Sequence, residues 1–166
     1  MTDFPLLTIT IFMPLVGALA ILLFTRGTPE QVASNARWGA LWVSLGTFVA
    51  SVLLWINFDN STAAFQFVDQ REWIPSFNIT YKVGVDGISL FFVLLSTLLT
   101  PICILASWDT IKDRVKEYMV AFLALETFMI GMFSALEMMV FYIFFEAVLV
   151  PMFLIIGVWG GPRRVY

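Results

Sequence analysis

The sequence predicts an all-α protein, a polytopic bundle of about five membrane-spanning helices. Three observations carry that expectation. Hydrophobic residues make up 60% of the chain and charged ones 13%, where a soluble domain holds about 45–50% and roughly 25%; the mean hydropathy is +0.92. A water-soluble fold cannot cover that much apolar surface, so lipid is the expected solvent. The apolar residues fall in runs of about 20, long enough at a rise of ~1.5 Å each to cross a ~30 Å hydrocarbon core. Lys and Arg gather in alternate connections, as the positive-inside rule requires.

The first span is expected over residues 6–25, followed by a polar connection holding Gly27, Pro29 and Glu30. Asp3 stands ahead of this run, where a signal peptide would carry Lys or Arg, and later runs are equally apolar, so a cleaved leader is not expected. The second span covers residues 38–58. A long loop, residues 59–85, comes next. In it Phe65, Phe67, Trp73 and Ile74 alternate with polar groups, which predicts short extended structure on the outer surface, with Trp73–Ile74–Pro75 as an interface anchor. Gly84–Val85–Asp86–Gly87 leads into the third span, residues 88–107, with Asp86 as its N-cap. The apolar stretch that follows is too long for one helix. Its one polar interruption, Ser134–Ala135–Leu136–Glu137, divides it into spans at 118–135 and 138–158.

An outside amino terminus and five spans place Arg26, Arg37, Lys112, Arg114, Lys116, Arg163 and Arg164 inside and only Arg71 and Lys82 outside. The predicted topology is therefore N-out, C-in. With no His and one Cys, a protein-ligated zinc, haem or iron–sulfur site is not expected. Cys103 reads as a small buried hydrophobe. No basic stripe of the kind nucleic-acid binding needs is present.

A carboxylate at mid-membrane costs about 2.5–3.5 kcal/mol even on a lenient insertion scale, which makes it a functional candidate by default. Glu146 is the clearest case, within Phe141–Tyr142–Ile143–Phe144–Phe145–Glu146 near the middle of the fifth span. Hydrocarbon disfavours its charged form, so it can take up and release a proton. Tyr142 stands one turn earlier on the same face, and Pro151 leaves the carbonyl of Ala147 without its usual donor. Together they predict a small polar pocket facing other helices; the alternative is a packing carboxyl held by one hydrogen bond. Glu126, in the middle of the fourth span, has the same two readings, proton transfer or packing. Glu137 falls at the turn between spans four and five, where a charge is cheap. Thr97, Thr100 and Pro101 predict a break in the third span, with packing as its simplest role. Spans drawn at these bounds contain no Lys, Arg or His. One or two carboxyls cannot relay protons alone, so their partners must come from other subunits or a continuation of the chain.

Three stretches together resemble one family: Gly84–Val85–Asp86–Gly87–Ile88–Ser89–Leu90, Phe141–Tyr142–Ile143–Phe144–Phe145–Glu146 with Pro151, and Gly157–Val158–Trp159–Gly160–Gly161. The chain is similar along nearly its whole length to the start of chain M of NADH–quinone oxidoreductase, respiratory complex I, whose mitochondrial counterpart is chain 4. The resemblance implies an antiporter-like membrane subunit without a cofactor, embedded among other membrane subunits of a bacterial inner membrane, with the mitochondrial inner membrane as the second choice. FMN, iron–sulfur clusters, NADH and quinone would be handled by other subunits. It also implies that Glu146 is the proton-carrying glutamate that pairs with a lysine on a later helix. Family members are much longer, so the expectation is an amino-terminal fragment. A multi-subunit cation/proton antiporter of the Mrp type and a membrane-bound hydrogenase share this architecture. A non-catalytic membrane scaffold is the alternative of another class.

Overall fold

The structure, a computed structural model, describes residues 5–161; Asp3, Arg163 and Arg164 lie outside them. Five helices, α1 (Leu6–Phe24), α2 (Pro29–Ile56), α3 (Ser89–Ala106), α4 (Val115–Ser134) and α5 (Met138–Trp159), are each long and apolar enough to cross a membrane. Between α2 and α3 lies an antiparallel hairpin, β1 (Gln66–Ile74) and β2 (Ile79–Val85), the extended structure expected of the long loop. A 3₁₀ turn over Pro75–Phe77 joins its strands and ends at Asn78 in the left-handed conformation.

The main correction concerns α2, which begins nine residues before the expected position 38. Thr28 caps it: its side chain accepts from the backbone N–H of Gln31, and the Gln31 side chain accepts from that of Thr28. Pro29 occupies the first turn, where its missing N–H is harmless. A capping box thus starts the helix in the polar region that looked like a loop. Arg37 consequently lies on a helix, and its Nη2 donates to the carbonyl of Ile111 at 2.8 Å. The other spans differ from expectation by at most three residues at either end.

Ile88 holds the N-cap position of α3, and Asp86, expected there, stands two residues earlier yet still satisfies the first turn. Its Oδ1 accepts from the backbone N–H of Ser89 at 2.7 Å and of Ile88 at 3.2 Å, and the Ser89 hydroxyl accepts from the Asp86 N–H. Those donations, the Ser89 backbone first, hold its carboxyl below the usual range. At the start of α5, the Glu137 carboxylate accepts from the Val140 N–H at 2.9 Å, a capping role consistent with its place at the turn. The α4–α5 turn also joins the hairpin, since the Leu136 N–H donates to the Lys82 carbonyl and Val83 bridges Ala135. At the opposite end, the Lys116 ammonium donates to the carbonyls of Leu22 and Thr25, closing the last turn of α1.

α4 is the hub, packing against α1, α2, α3 and α5. Two hydrophobic clusters fill the interior. The outer one, under the hairpin, includes Leu7, Ile11, Leu54, Val83, Val85, Leu90 and Ile130. The inner one includes Ala18, Ile21, Ala40, Ile104, Met119 and Leu123. Cys103 is exposed, contrary to expectation. α3 buries the face bearing Val93, Thr97, Thr100 and Ile104, and Cys103 is turned away from it.

Candidate functional site

The two intramembrane carboxyls sit at matching depth. Glu126 is eight residues before Ser134 at the outer end of α4, and Glu146 is eight residues past Met138 at the outer end of α5. At ~1.5 Å per residue, each is ~12 Å below the outer helix ends. Their surroundings are opposite.

α5 buries Val140, Phe144 and Pro151. Successive residues advance ~100° around a helix, so Glu146, two past Phe144, points ~200° away from the packed face. Tyr142, two before Phe144, falls beside it. Both are exposed, Tyr142 at 56%. Tyr142 and Glu146 therefore share a face, as expected, but it is directed away from these five helices. The contact beneath is tight: a Cβ built on Gly131 of α4 would stand 2.6 Å from the Phe144 ring. Pro151 is buried, and α5 remains helical through it.

Glu126 is 0% exposed. Neither of its carboxylate oxygens has a hydrogen-bond partner among the described residues. It is five residues from Gly131, about 140° round the helix, and so faces away from α5. Phe133, seven residues further along the same face, stacks on Phe92 of α3 with ring centroids 5.1 Å apart. Glu126 thus looks toward α3. The two carboxyls are not brought together; the thickness of α4 and its contact with α5 separate them.

The break expected around Thr97, Thr100 and Pro101 is not a break in helical structure, because α3 runs on through Pro101. Thr97 Oγ1 lies 2.7 Å from Ser51 Oγ of α2, a buried hydroxyl pair. The one sequence signal for Ser51 is its recurrence with Ser44 and Thr47 at helical spacing, and all three are fully buried. On the outer side, Thr8 of α1 donates to Asp69 of the hairpin at 2.8 Å, and Tyr81 lies beside them. Burial pushes the Tyr81 phenol above its ordinary range. Thr8 and Tyr81 border a mainly apolar cavity of about 610 Å³ between α1, α5 and the hairpin. Among the described residues, no group of three His, Cys, Asp or Glu could hold a metal ion.

Comparison with known proteins places this arrangement. Residues 9–134 match the family described as NADH-ubiquinone oxidoreductase chain 4, amino terminus. The chain is 49% identical over 161 residues to NADH-quinone oxidoreductase subunit M of Rhodobacter capsulatus, covering 97% of this chain and 31% of that protein. It is 49% identical over 154 residues to NADH-ubiquinone oxidoreductase chain 4 of Marchantia polymorpha, covering 93% and 30%. It is 44% identical over 167 residues to subunit M of Rickettsia felis, covering 100% and 34%. A chain of respiratory complex I from Thermus thermophilus with bound NADH superposes with a TM-score of 0.76 over 95% of this chain and 30% of that one, at 23% identity, and so shares its fold. The chain spans about a third of the length of the curated relatives it matches. It belongs to the NADH-ubiquinone oxidoreductase chain 4 family and carries the amino-terminal part of that family's sequence.

Proposed function

We propose that this chain is part of an antiporter-like, proton-translocating membrane subunit of an NADH:quinone oxidoreductase, in a bacterial inner membrane. The observation that carries the reading is the place of Glu146: mid-membrane, on the face of α5 opposite its packed side. A carboxyl there is unfavourable against lipid. It is at home against a further helix that brings a cation or a polar path. Its carboxyl would take a proton onto one oxygen and release it when the charge of that partner moves, with Tyr142 offering a hydroxyl on the same face and Pro151 freeing the Ala147 carbonyl one turn away.

Redox catalysis is assigned to other subunits, which would bind NADH, FMN, iron–sulfur clusters and quinone. This chain supplies none of the usual ligand sets, having no His and a single Cys. Its work would be to couple conformational or electrostatic change to proton movement, with other membrane subunits as partners.

The test is Glu146→Gln in the full-length gene, with NADH-driven quinone reduction and proton pumping measured in membranes where the complex is assembled. Loss of both is expected. Unchanged rates and pumping overturn the proton-carrier role of Glu146 and leave a scaffold function.

A further inference from the structure

The interior of α1–α4 follows one rule along each helix. Read at seven-residue steps, α1 presents Leu7, Pro14 and Ile21; α2 presents Leu54, Thr47 and Ala40; α3 presents Leu90, Thr97 and Ile104; α4 presents Phe133, Glu126 and Met119. The first of each triplet belongs to or packs on the outer hydrophobic cluster, and the last belongs to the inner one. Both clusters draw on the same helices, yet they do not merge. The middle members fall between them, and on α2, α3 and α4 these are polar and 0% exposed. Ser51, Ser96 and Thr100 join the same level, each under a tenth exposed. A polar layer therefore crosses the bundle between two apolar plugs.

The chemistry of that layer is one-sided. Thr47, Ser96, Thr97 and Thr100 each donate to a carbonyl of their own helix at 2.8–3.0 Å, and Ser51 reaches the Phe48 carbonyl at 2.7 Å. The Ser51 and Thr97 hydroxyls lie 2.7 Å apart and have two protons for three contacts, so one of them donates to the other rather than fully to its own carbonyl. With these hydroxyl protons committed, the hydroxyls of α2 and α3 keep lone pairs free, while neither Glu126 oxygen has a hydrogen-bond partner among the described residues. Lone pairs satisfy a carboxylic acid, which has an O–H to give, and do nothing for a carboxylate, which only accepts. An ionised, unpartnered carboxylate in such a place is strongly unfavourable. Thr127, beside Glu126, and Ser134, further along α4, are buried hydroxyls with no partner among the described residues.

From this layering we infer that Glu126 is a second proton carrier of the subunit, separate from Glu146, holding its proton as a carboxylic acid among the hydroxyls of α2 and α3. Only O–H bonds are made and broken: the acid gives its proton to a hydroxyl oxygen as that hydroxyl passes its own proton to the next acceptor along the layer, and reprotonation runs the same relay in reverse, so that no oxonium or alkoxide is left behind. With apolar clusters on both sides, exchange runs along the layer between α2, α3 and α4. Thr97 and Ser51 are positioning residues, because their shared bond holds α2 against α3 where the acid must find an acceptor. The inference rests on the proton-translocating reading of the subunit, though not on the role given to Glu146.

The experiment is infrared difference spectroscopy of the complete, membrane-embedded complex, NADH-reduced against oxidised, in the C=O stretching region of protonated carboxyls. Proton pumping per NADH oxidised is recorded on the same membranes. In the wild type a carboxyl band is expected to change during turnover. Glu126→Gln should remove that band and lower the pumping ratio, while Glu126→Asp should displace the band and restore the ratio. A band unaltered by Glu126→Gln, or an unaltered ratio, overturns the carrier. Should the Gln protein fail to assemble, the Asp protein decides: a displaced band supports the inference, and an unmoved one overturns it. Glu146→Gln run in parallel separates the two readings. Pumping lost only there overturns the role of Glu126, and pumping lost only in Glu126→Gln overturns the role of Glu146.

Discussion

α4 and α5 carry one intramembrane carboxyl each, at one depth, and treat them in opposite ways. Ten residues of α4 are buried, spread over most of its circumference, whereas α5 buries three along one line. Glu126 is consequently enclosed within these helices, and Glu146 lies on a face that they leave uncovered. Depth in the membrane therefore does not decide what surrounds an acidic group. Rotation about the helix axis does, and that is settled by which neighbours a helix has.

The contrast can be broken most severely at the contact that keeps the two faces apart. Gly131→Leu should destabilise the α4–α5 packing by about 3 kcal/mol, since the Phe144 ring already lies where a Cβ would stand. Thermal unfolding of the detergent-solubilised complex reads this as loss of the subunit. A Glu126 carboxyl band that also disappears in surviving complexes would show that the two sides are not independent.

A somewhat smaller effect distinguishes a carrier from a packing group. Glu126→Leu replaces an unpartnered buried carboxyl with an apolar side chain between two apolar clusters. It is expected to raise stability by about 1–2 kcal/mol, measured by the same unfolding assay, while pumping falls. A drop in stability would mean that the carboxyl holds the bundle together. A trade of stability for activity is common where function requires a group the fold would not choose.

The smallest expected effect lies at the hairpin end, outside the contrast, and serves as its control. Asp86→Ala should cost about 1 kcal/mol, the usual loss for a helix cap. The Asp86 carboxyl is held below its ordinary range by donation from Ser89 and Ile88. Its contribution is therefore complete above the unfolded-state value, about 3.9, and disappears as pH falls through the lower folded one. The stability gap between the wild type and the Asp86→Ala variant should close on acidification, as unfolding curves at several pH values would reveal.

Much of this protein is written in its local sequence. The five apolar runs, the extended loop, the Asp86 cap and the division at Glu137 each rest on local chemistry: a run long enough to cross lipid, alternation, a side chain that satisfies the next turn. The early start of α2 was also written locally, in Thr28, Pro29 and Gln31, but hydropathy hid it, because a helix can begin in water before it reaches the membrane. Both carboxyls were legible as candidates, since an acid inside an apolar run is conspicuous whichever way it points. It took the packing of the helices to settle that Glu126 faces α3 and Glu146 faces outward, that Cys103 is exposed, and that Thr97 meets Ser51. The physical reason is that lipid-facing and helix-facing surfaces are nearly equally apolar. Hydrophobicity therefore leaves the rotation of each helix unspecified, and packing between small residues, rings and a few hydroxyls sets it.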